Sequence, residues 1–182
     1  MKLFFASDIH GNINAAKLVM AAYARSGADY MVLLGDLLNF GPRNPIIDGL
    51  DPQGVVELLN PIADKIIAVR GNCDSEVDQA LLHFPLMSDS HWVILPNGKR
   101  MFLTHGHLFG PNNLPPLSPG DVLAYGHTHL PVAEEIDGIV HFNPGSVTYP
   151  RGGHVPTFGL LEEGQLQVLD FEGNVVVATT LG

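Results

Sequence analysis

Three short apolar runs in the first half of the chain each stop on a polar group, and helical spacing fills the gaps between them. Leu3-Phe4-Phe5-Ala6 runs unbroken and ends at Ser7-Asp8, Tyr30 to Leu34 ends at Gly35-Asp36, and Lys65 to Val69 ends at Arg70-Gly71-Asn72. Unbroken apolar runs this short read as buried strands. After the first, Asn12 or Asn14 can cap a segment in which Ala15, Leu18, Val19, Ala22 and Tyr23 recur at helical spacing until Gly27 closes it. A second capped helical stretch, about Asp51 to Asn60, precedes the third strand. Strand and helix thus alternate, the pattern of an α/β architecture.

From His91 the texture changes to short runs at Trp92–Leu95, Met101–Thr104, Val122–Tyr125, Ile139–Phe142, Phe158–Leu161, Leu166–Leu169 and Val175–Ala178. Asn97-Gly98, Pro119-Gly120, Asp137-Gly138, Glu163-Gly164 and Glu172-Gly173 punctuate them, so several should pair as hairpins. Only Gly106 to Gly120, with four prolines, reads as a long loop, and loops of that length are usually functional or mobile. With 182 residues and no composition break, a single domain over 1–182 is expected.

Charge narrows the partners. Nine Lys plus Arg against nineteen Asp plus Glu give −10, the wrong sign for neutralising a nucleic-acid backbone, so sequence-independent nucleic-acid binding is disfavoured. Bound divalent cations can reverse the local sign of a site, which keeps phosphate-bearing substrates open. The single cysteine, Cys73, excludes internal disulfides and multi-cysteine zinc sites. There is no signal-peptide core and no apolar stretch of about 18 residues or more, so a cytoplasmic protein is expected. The low charge content of 15% leaves room for apolar contacts in a homo-oligomer.

The polar outliers gather where strands end. Asp8-Ile9-His10, Gly35-Asp36 and Gly71-Asn72-Cys73-Asp74 follow the first three strands, Thr104-His105-Gly106-His107 ends another, and Gly126-His127-Thr128-His129 a fifth. Open α/β sheets bind ligands at the carboxyl ends of their strands. Residues i and i+2 of an extended segment project to one side, roughly 6.6 Å apart. Asp8 with His10, and His127 with His129, can therefore reach two metals about 3.5–4 Å apart or converge on one. Carboxylate, imidazole and amide donors together suit Mn, Fe, Zn, Co or Ni. Any one of these groups alone reads as a turn or cap residue, but five strand ends supplying donors at once do not. His83, His91 and His154 have no sequence partner and read as surface or packing residues. His141, before Asn143-Pro144-Gly145-Ser146, reads equally as a site-lining turn or a strand exit.

The ordered set D-x-H, G-D, G-N-x-D, H-G and G-H-x-H resembles the calcineurin-like metallophosphoesterase superfamily, from Leu3 to about Ser146, and within it the small bacterial phosphodiesterases. The resemblance implies a four-layer α/β/β/α sandwich of two facing mixed sheets, with a dinuclear centre at the sheet edges. It assigns Asp8, His10 and His129 to one divalent ion and Asn72, His105 and His127 to the other, with Asp36 bridging. Manganese is the expected metal. The implied chemistry is hydrolysis of a small phosphodiester by a metal-bound hydroxide, the pKa of water falling from 15.7 toward about 7. Asp36 and Asn72 are then catalytic as well as ligating, and Arg43 and Arg70 are the nearby candidates for substrate binding.

Two departures matter. Cys73 stands where many members of the superfamily carry a histidine that assists the leaving group, and a thiol with pKa near 8.5 replaces imidazolium poorly. Asn39 replaces the second acid of the G-D-x-x-D-R-G pattern of the protein Ser/Thr phosphatase branch. A phosphomonoesterase or nucleotide phosphatase is the enzymatic alternative and a non-catalytic scaffold the other. No G-x-G-x-x-G follows the first strand and no G-x-S-x-G elbow occurs, which disfavours a dinucleotide-binding dehydrogenase and an α/β-hydrolase.

Overall fold

Parallel strands cannot be joined by a tight turn and need a crossover, usually a helix. In the computed structural model, which describes residues 1–182, the first half of the chain is built this way. Strands β1 (Leu3–Ala6), β2 (Tyr30–Leu33) and β3 (Ile66–Ala68) run parallel. Helix α1 (Ile13–Ser26) joins the first two, capped by the Asn12 side chain on Ala15 N at 3.0 Å and ended by Gly27 at φ 65°. Helix α2 (Pro52–Leu59) and a 3₁₀ segment (Asn60–Lys65) lead into β3, with Asp51 capping Gly54 N and Pro52 in the first turn. The expectation of a strand from Lys65 to Val69 is trimmed at both ends, because Lys65 closes the 3₁₀ segment and Val69 already leaves the ladder.

The last three strands, β9 (Thr157–Glu162), β10 (Gln165–Asp170) and β11 (Val175–Thr180), return antiparallel to the free edge of β1. They complete a mixed sheet of order β11-β10-β9-β1-β2-β3. A second mixed sheet, order β4-β5-β6-β8-β7, contains β4 (Ser90–Ile94), β5 (Arg100–Thr104), β6 (Val122–Ala124), β7 (Pro131–Ile136) and β8 (Ile139–Pro144).

Alternation along the strands sets the layers, since successive side chains face opposite sides. Phe4, Ala6, Met31 and Leu33 pack against α1 and α2 through Ala16, Val19, Val55 and Leu59. Their neighbours Leu3, Phe5, Val32 and Leu34 face the second sheet and meet Met101, Leu103, Val122, Ala124, Val140 and Phe142. The chain therefore forms the expected α/β arrangement of two facing mixed sheets.

The outermost layer differs from expectation. Over the outer face of the second sheet, Phe102, Leu123, Tyr125 and Ile139 are covered by Phe109 and Leu117 of the 106–120 loop instead of a helix. Pro111, Pro115, Pro116 and Pro119 explain this, since each lacks the N–H a helix needs. Two elements escaped the sequence reading. Strand β7 opens on Pro131 and carries Glu134-Glu135, which only an edge strand tolerates. Helix α3 (Glu76–Leu81) is too short to show a period and rests on the Ser75–Asp78 cap, where Ser75 N donates to Asp78 Oδ2 at 2.8 Å. No helix is long and apolar enough to cross a membrane. The carboxyl ends of β1, β2, β3, β5 and β6 share one rim.

Candidate metal centre

At that rim the backbone leaves its strands through left-handed turns. Asp8, His10, Asp36, His127 and His129 have φ of 60°, 51°, 56°, 62° and 62°; the other non-glycine cases, Asp137 and Glu163, lie in hairpin turns. Such residues cost of order 1–3 kcal/mol each and persist only where the surroundings over-determine them. Here hydrogen bonds do so: Asp8 N donates to Gly35 O at 3.1 Å, His10 N to Asp36 O at 2.9 Å and His127 N to Asp8 Oδ2 at 3.2 Å. The turns also need bare backbone. A Cβ on Gly35 would lie 2.6 Å from Gly71 N and 2.8 Å from His105 Nδ1, and one on Gly71 would collide with the Asp36 carboxylate.

The result is a buried cluster of donors from both sheets. Asp8 Oδ1 lies 3.1 Å from His129 Nε2 and 3.7 Å from His10 Nε2. Asp36 Oδ2 lies 3.7 Å from His10 Nε2 and 3.4 Å from His105 Nε2, and His105 Nε2 is 3.2 Å from Asn72 Oδ1. Asp36 thus stands between two groups of donors. Its other oxygen accepts Cys73 N at 2.8 Å, which fixes the carboxylate. The His127 ring stacks edge-on to His105 at 5.1 Å between centroids, half-buried at the mouth of the cluster.

Three imidazoles are oriented from behind. Nδ1 of His10, His129 and His105 meets the carbonyls of Asn39, Tyr149 and Leu34 at 2.8, 2.7 and 2.6 Å. A carbonyl can only accept, so each Nδ1 carries a proton, and each Nε2 points into the cluster, where it offers a lone pair to a metal once its own proton is lost. Asp8 Oδ1 and His10 Nε2 are buried without a hydrogen-bond partner. Buried polar atoms normally have one, and a divalent cation would satisfy both. The donor set therefore fits a metal. The electrostatics agree: burial alone would raise the Asp8 carboxyl, but the close His10 and His129 imidazoles and the charge of His105 outweigh it and hold it far below the usual range. Burial would lower His105, yet Asp36 and Asp8 bring it up to about 9, so two buried carboxylates draw positive charge into the site.

Above the cluster opens a cleft of about 480 Å³. His10, Asp36, Asn72, His127 and His129 line its floor, and Cys73 faces it too. Arg43 lies on its rim, whereas Arg70 is not among the lining residues and pairs with Asp89 at 2.6 Å. His107 packs beside His105 at 5.4 Å, away from the cleft. His83 and His154 are exposed, and His141 is buried beneath the second sheet near Tyr125.

Several residues support the site in ways the sequence does not show. Asp74 accepts backbone N–H bonds from Gly71, Asp36 and Leu37 at 2.7, 2.8 and 2.8 Å, and burial pushes it up to about 6 against those bonds. Asn143 donates to Gly126 O and Thr128 Oγ1, and Thr148 Oγ1 donates to Ile9 O at 2.7 Å, so the Asn143–Thr148 turn braces two metal-site loops. Arg151 lines the cleft as Arg43 does. Asp74 stands in the G-N-x-D motif and Asn143-Pro144-Gly145-Ser146 reads as a Pro-Gly turn beyond a strand, whereas Arg151 carries no signal.

Two mixed sheets whose strand ends converge on carboxylates, imidazoles and an amide define a phosphoric ester hydrolase, and the chain belongs to the calcineurin-like phosphoesterase superfamily, whose domain description matches residues 1–165. Membership implies divalent metal ions. It is 55% identical over 178 residues to phosphodiesterase YfcE of Escherichia coli K12, covering 98% of this chain and 96% of that one. A solved structure of the E. coli phosphoesterase YfcE superposes with a TM-score of 0.98 at 54% identity, over 100% of both chains. Vps29 of Entamoeba histolytica, in a complex with zinc, shares only the fold: TM-score 0.62 and 19% identity over the full length of both.

Proposed function

We propose that this chain hydrolyses small phosphodiesters with two divalent ions, manganese being the preferred metal. Asp8, His10 and His129 hold one ion, Asn72, His105 and His127 the other, and Asp36 faces both. The observation that carries this reading is the position of Asp36 Oδ2 between His10 Nε2 and His105 Nε2, at 3.7 and 3.4 Å. A carboxylate can offset the repulsion of two cations, which a neutral imidazole cannot. When bound, such ions supply Lewis acidity toward phosphoryl oxygens and a water acidic enough to be hydroxide near neutral pH.

The protein's own groups do the rest. The carbonyls of Asn39, Tyr149 and Leu34 keep three Nε2 lone pairs inward, and Cys73 N–H keeps Asp36 aimed into the gap. Asn72 contributes an uncharged oxygen and sits in the cleft wall, within reach of a phosphoryl group. Arg43 reaches the same cleft, while Arg70, engaged by Asp89, braces the Gly71–Asn72 loop from outside. The similarity to a phosphodiesterase across 98% of the chain favours diesters over monoesters.

The test is a comparison of bis(4-nitrophenyl) phosphate with 4-nitrophenyl phosphate after chelation and readdition of Mn, Fe, Zn, Co or Ni. Chelation should abolish turnover and Mn restore it, with the diester preferred. Asp36→Asn keeps the shape but loses the charge, and should lose at least about tenfold more kcat/KM than His10→Ala, about 1.4 kcal/mol of transition-state stabilisation. Full turnover by metal-free protein refutes the mechanism. A tenfold monoester preference, about 1.4 kcal/mol, assigns the chain to phosphomonoesterases.

A further inference from the structure

The cleft carries more positive charge at its rim than a simple diester needs. Arg43 and Arg151 are the only Lys or Arg side chains lining it; both are exposed, and neither has a carboxylate partner. Elsewhere in this chain of charge −10, Arg70 and Arg100 are neutralised by Asp89 and Asp121. The two rim arginines are also placed together by the fold. The 39–45 loop holds His10 through the Asn39 carbonyl, and the 149–151 segment holds His129 through the Tyr149 carbonyl. Tyr149 Oη donates to Pro45 O at 2.8 Å, which ties the two loops, and Arg151 N donates to His129 O at 3.2 Å. Both arginines therefore line the cleft from segments that orient ligands of the Asp8–His10–His129 group.

A diester's single phosphoryl charge lies at the buried floor, where divalent cations meet it. Guanidinium groups are suited to a planar or tetrahedral anion, which they can grip through paired N–H donors. The cleft contains no aromatic ring besides imidazoles, so it offers no shelf for stacking a base. We propose that Arg43 and Arg151 form a subsite for a second anionic group, a carboxylate or a phosphate, on the alcohol portion of the substrate. The preferred substrates are then polar diesters with an additional anion. This rests on the diesterase reading above and specifies its substrate class.

The experiment uses 4-nitrophenyl diesters with a common leaving group and a second alcohol that is ethyl, 2-carboxyethyl or 2-phosphoethyl. The native Mn-loaded protein should favour the anionic esters by about tenfold or more in kcat/KM, chiefly through KM, and lose that preference as salt rises. Arg43→Gln and Arg151→Gln should each narrow the ratio, and the double variant should erase it. Calorimetric binding of phosphonoacetate against methylphosphonate gives the same comparison without turnover. A ratio near one in the native protein, or a preference surviving in the double variant, overturns the subsite. If none of the diesters turns over, the diesterase reading fails, and the two phosphonates still decide the subsite: selective loss of phosphonoacetate affinity in the double variant supports it, and equal affinities refute it.

Discussion

Cys73 lines the cleft with its thiol 3.2 Å from the Asn72 amide nitrogen. Burial and the neighbouring Asp36 carboxylate push that thiol up to about 12, and bound cations act in the opposite direction. Neither state is a good acid near pH 7: the first holds its proton too tightly and a thiolate has none to give. Hydrolysis should then depend on leaving groups that depart unaided. Cys73→His is expected to raise kcat/KM for diesters with poor leaving groups by up to about 10²-fold, the lower end of general-acid effects, with little change for nitrophenyl diesters. Cys73→Ser should behave like the native protein. A plot of log kcat/KM against leaving-group pKa checks this: the histidine variant must give the shallower slope, and parallel lines would remove residue 73 from leaving-group departure. At this scale the donor residues were legible because each closes an apolar run. Arg151 was not, because nothing in the sequence sets it beside the cleft that Arg43 lines; the Tyr149–Pro45 hydrogen bond joins the two segments.

The turns after β2 and β3 are joined by one buried side chain. Asp74 spends both carboxylate oxygens on three backbone N–H groups, two from the Asp36–Leu37 turn and one from Gly71. It thereby fixes the spacing between Asp36 and Asn72 without lining the cleft. Asp74→Asn offers one acceptor and an unwanted N–H₂ to the same donors, and each buried donor left unpaired costs about 1–3 kcal/mol. The variant should melt at a lower temperature and bind Mn about 10–100-fold more weakly, the usual range for groups that orient ligands. Equilibrium dialysis against Mn measures this, and native affinity would show that the two turns hold their spacing alone. The elements themselves were readable to different degrees. The apolar runs of β1, β2 and β5 declared themselves, and α1 showed its period and both caps. α3 could not, because six residues complete fewer than two turns, and β7 could not, because an edge strand with one exposed face carries Pro and Glu where a central strand carries Val or Ile.

Across the whole molecule, period-two alternation tells which side of a strand is buried but not which sheet it meets, so the facing of Phe5 and Phe142, 5.1 Å apart, was beyond local reading. That facing has an energetic consequence. Asp8, His10, Asp36 and Asn72 follow strands of the first sheet, and His105, His127 and His129 follow strands of the second. Cations held among them would tie the two sheets at one edge, which hydrogen bonds such as His105 Nδ1 to Leu34 O at 2.6 Å also cross. Because the unfolded chain does not assemble these donors, metal binding adds to folding stability. At a free concentration of about 1,000 times Kd the gain is about 4.1 kcal/mol. A chain of this size gains about 2–4 °C in Tm per kcal/mol, so saturating Mn should raise Tm by about 8–16 °C. Chelation should reverse the rise, and His10→Ala should shrink it. Hydrogen exchange should show the largest gain in protection at the carboxyl ends of β1, β2, β5 and β6. Stoichiometric Mn binding with no change in Tm would mean that the unfolded chain binds the ion as well as the native one does, and would remove the assignment of ligands brought together from both sheets.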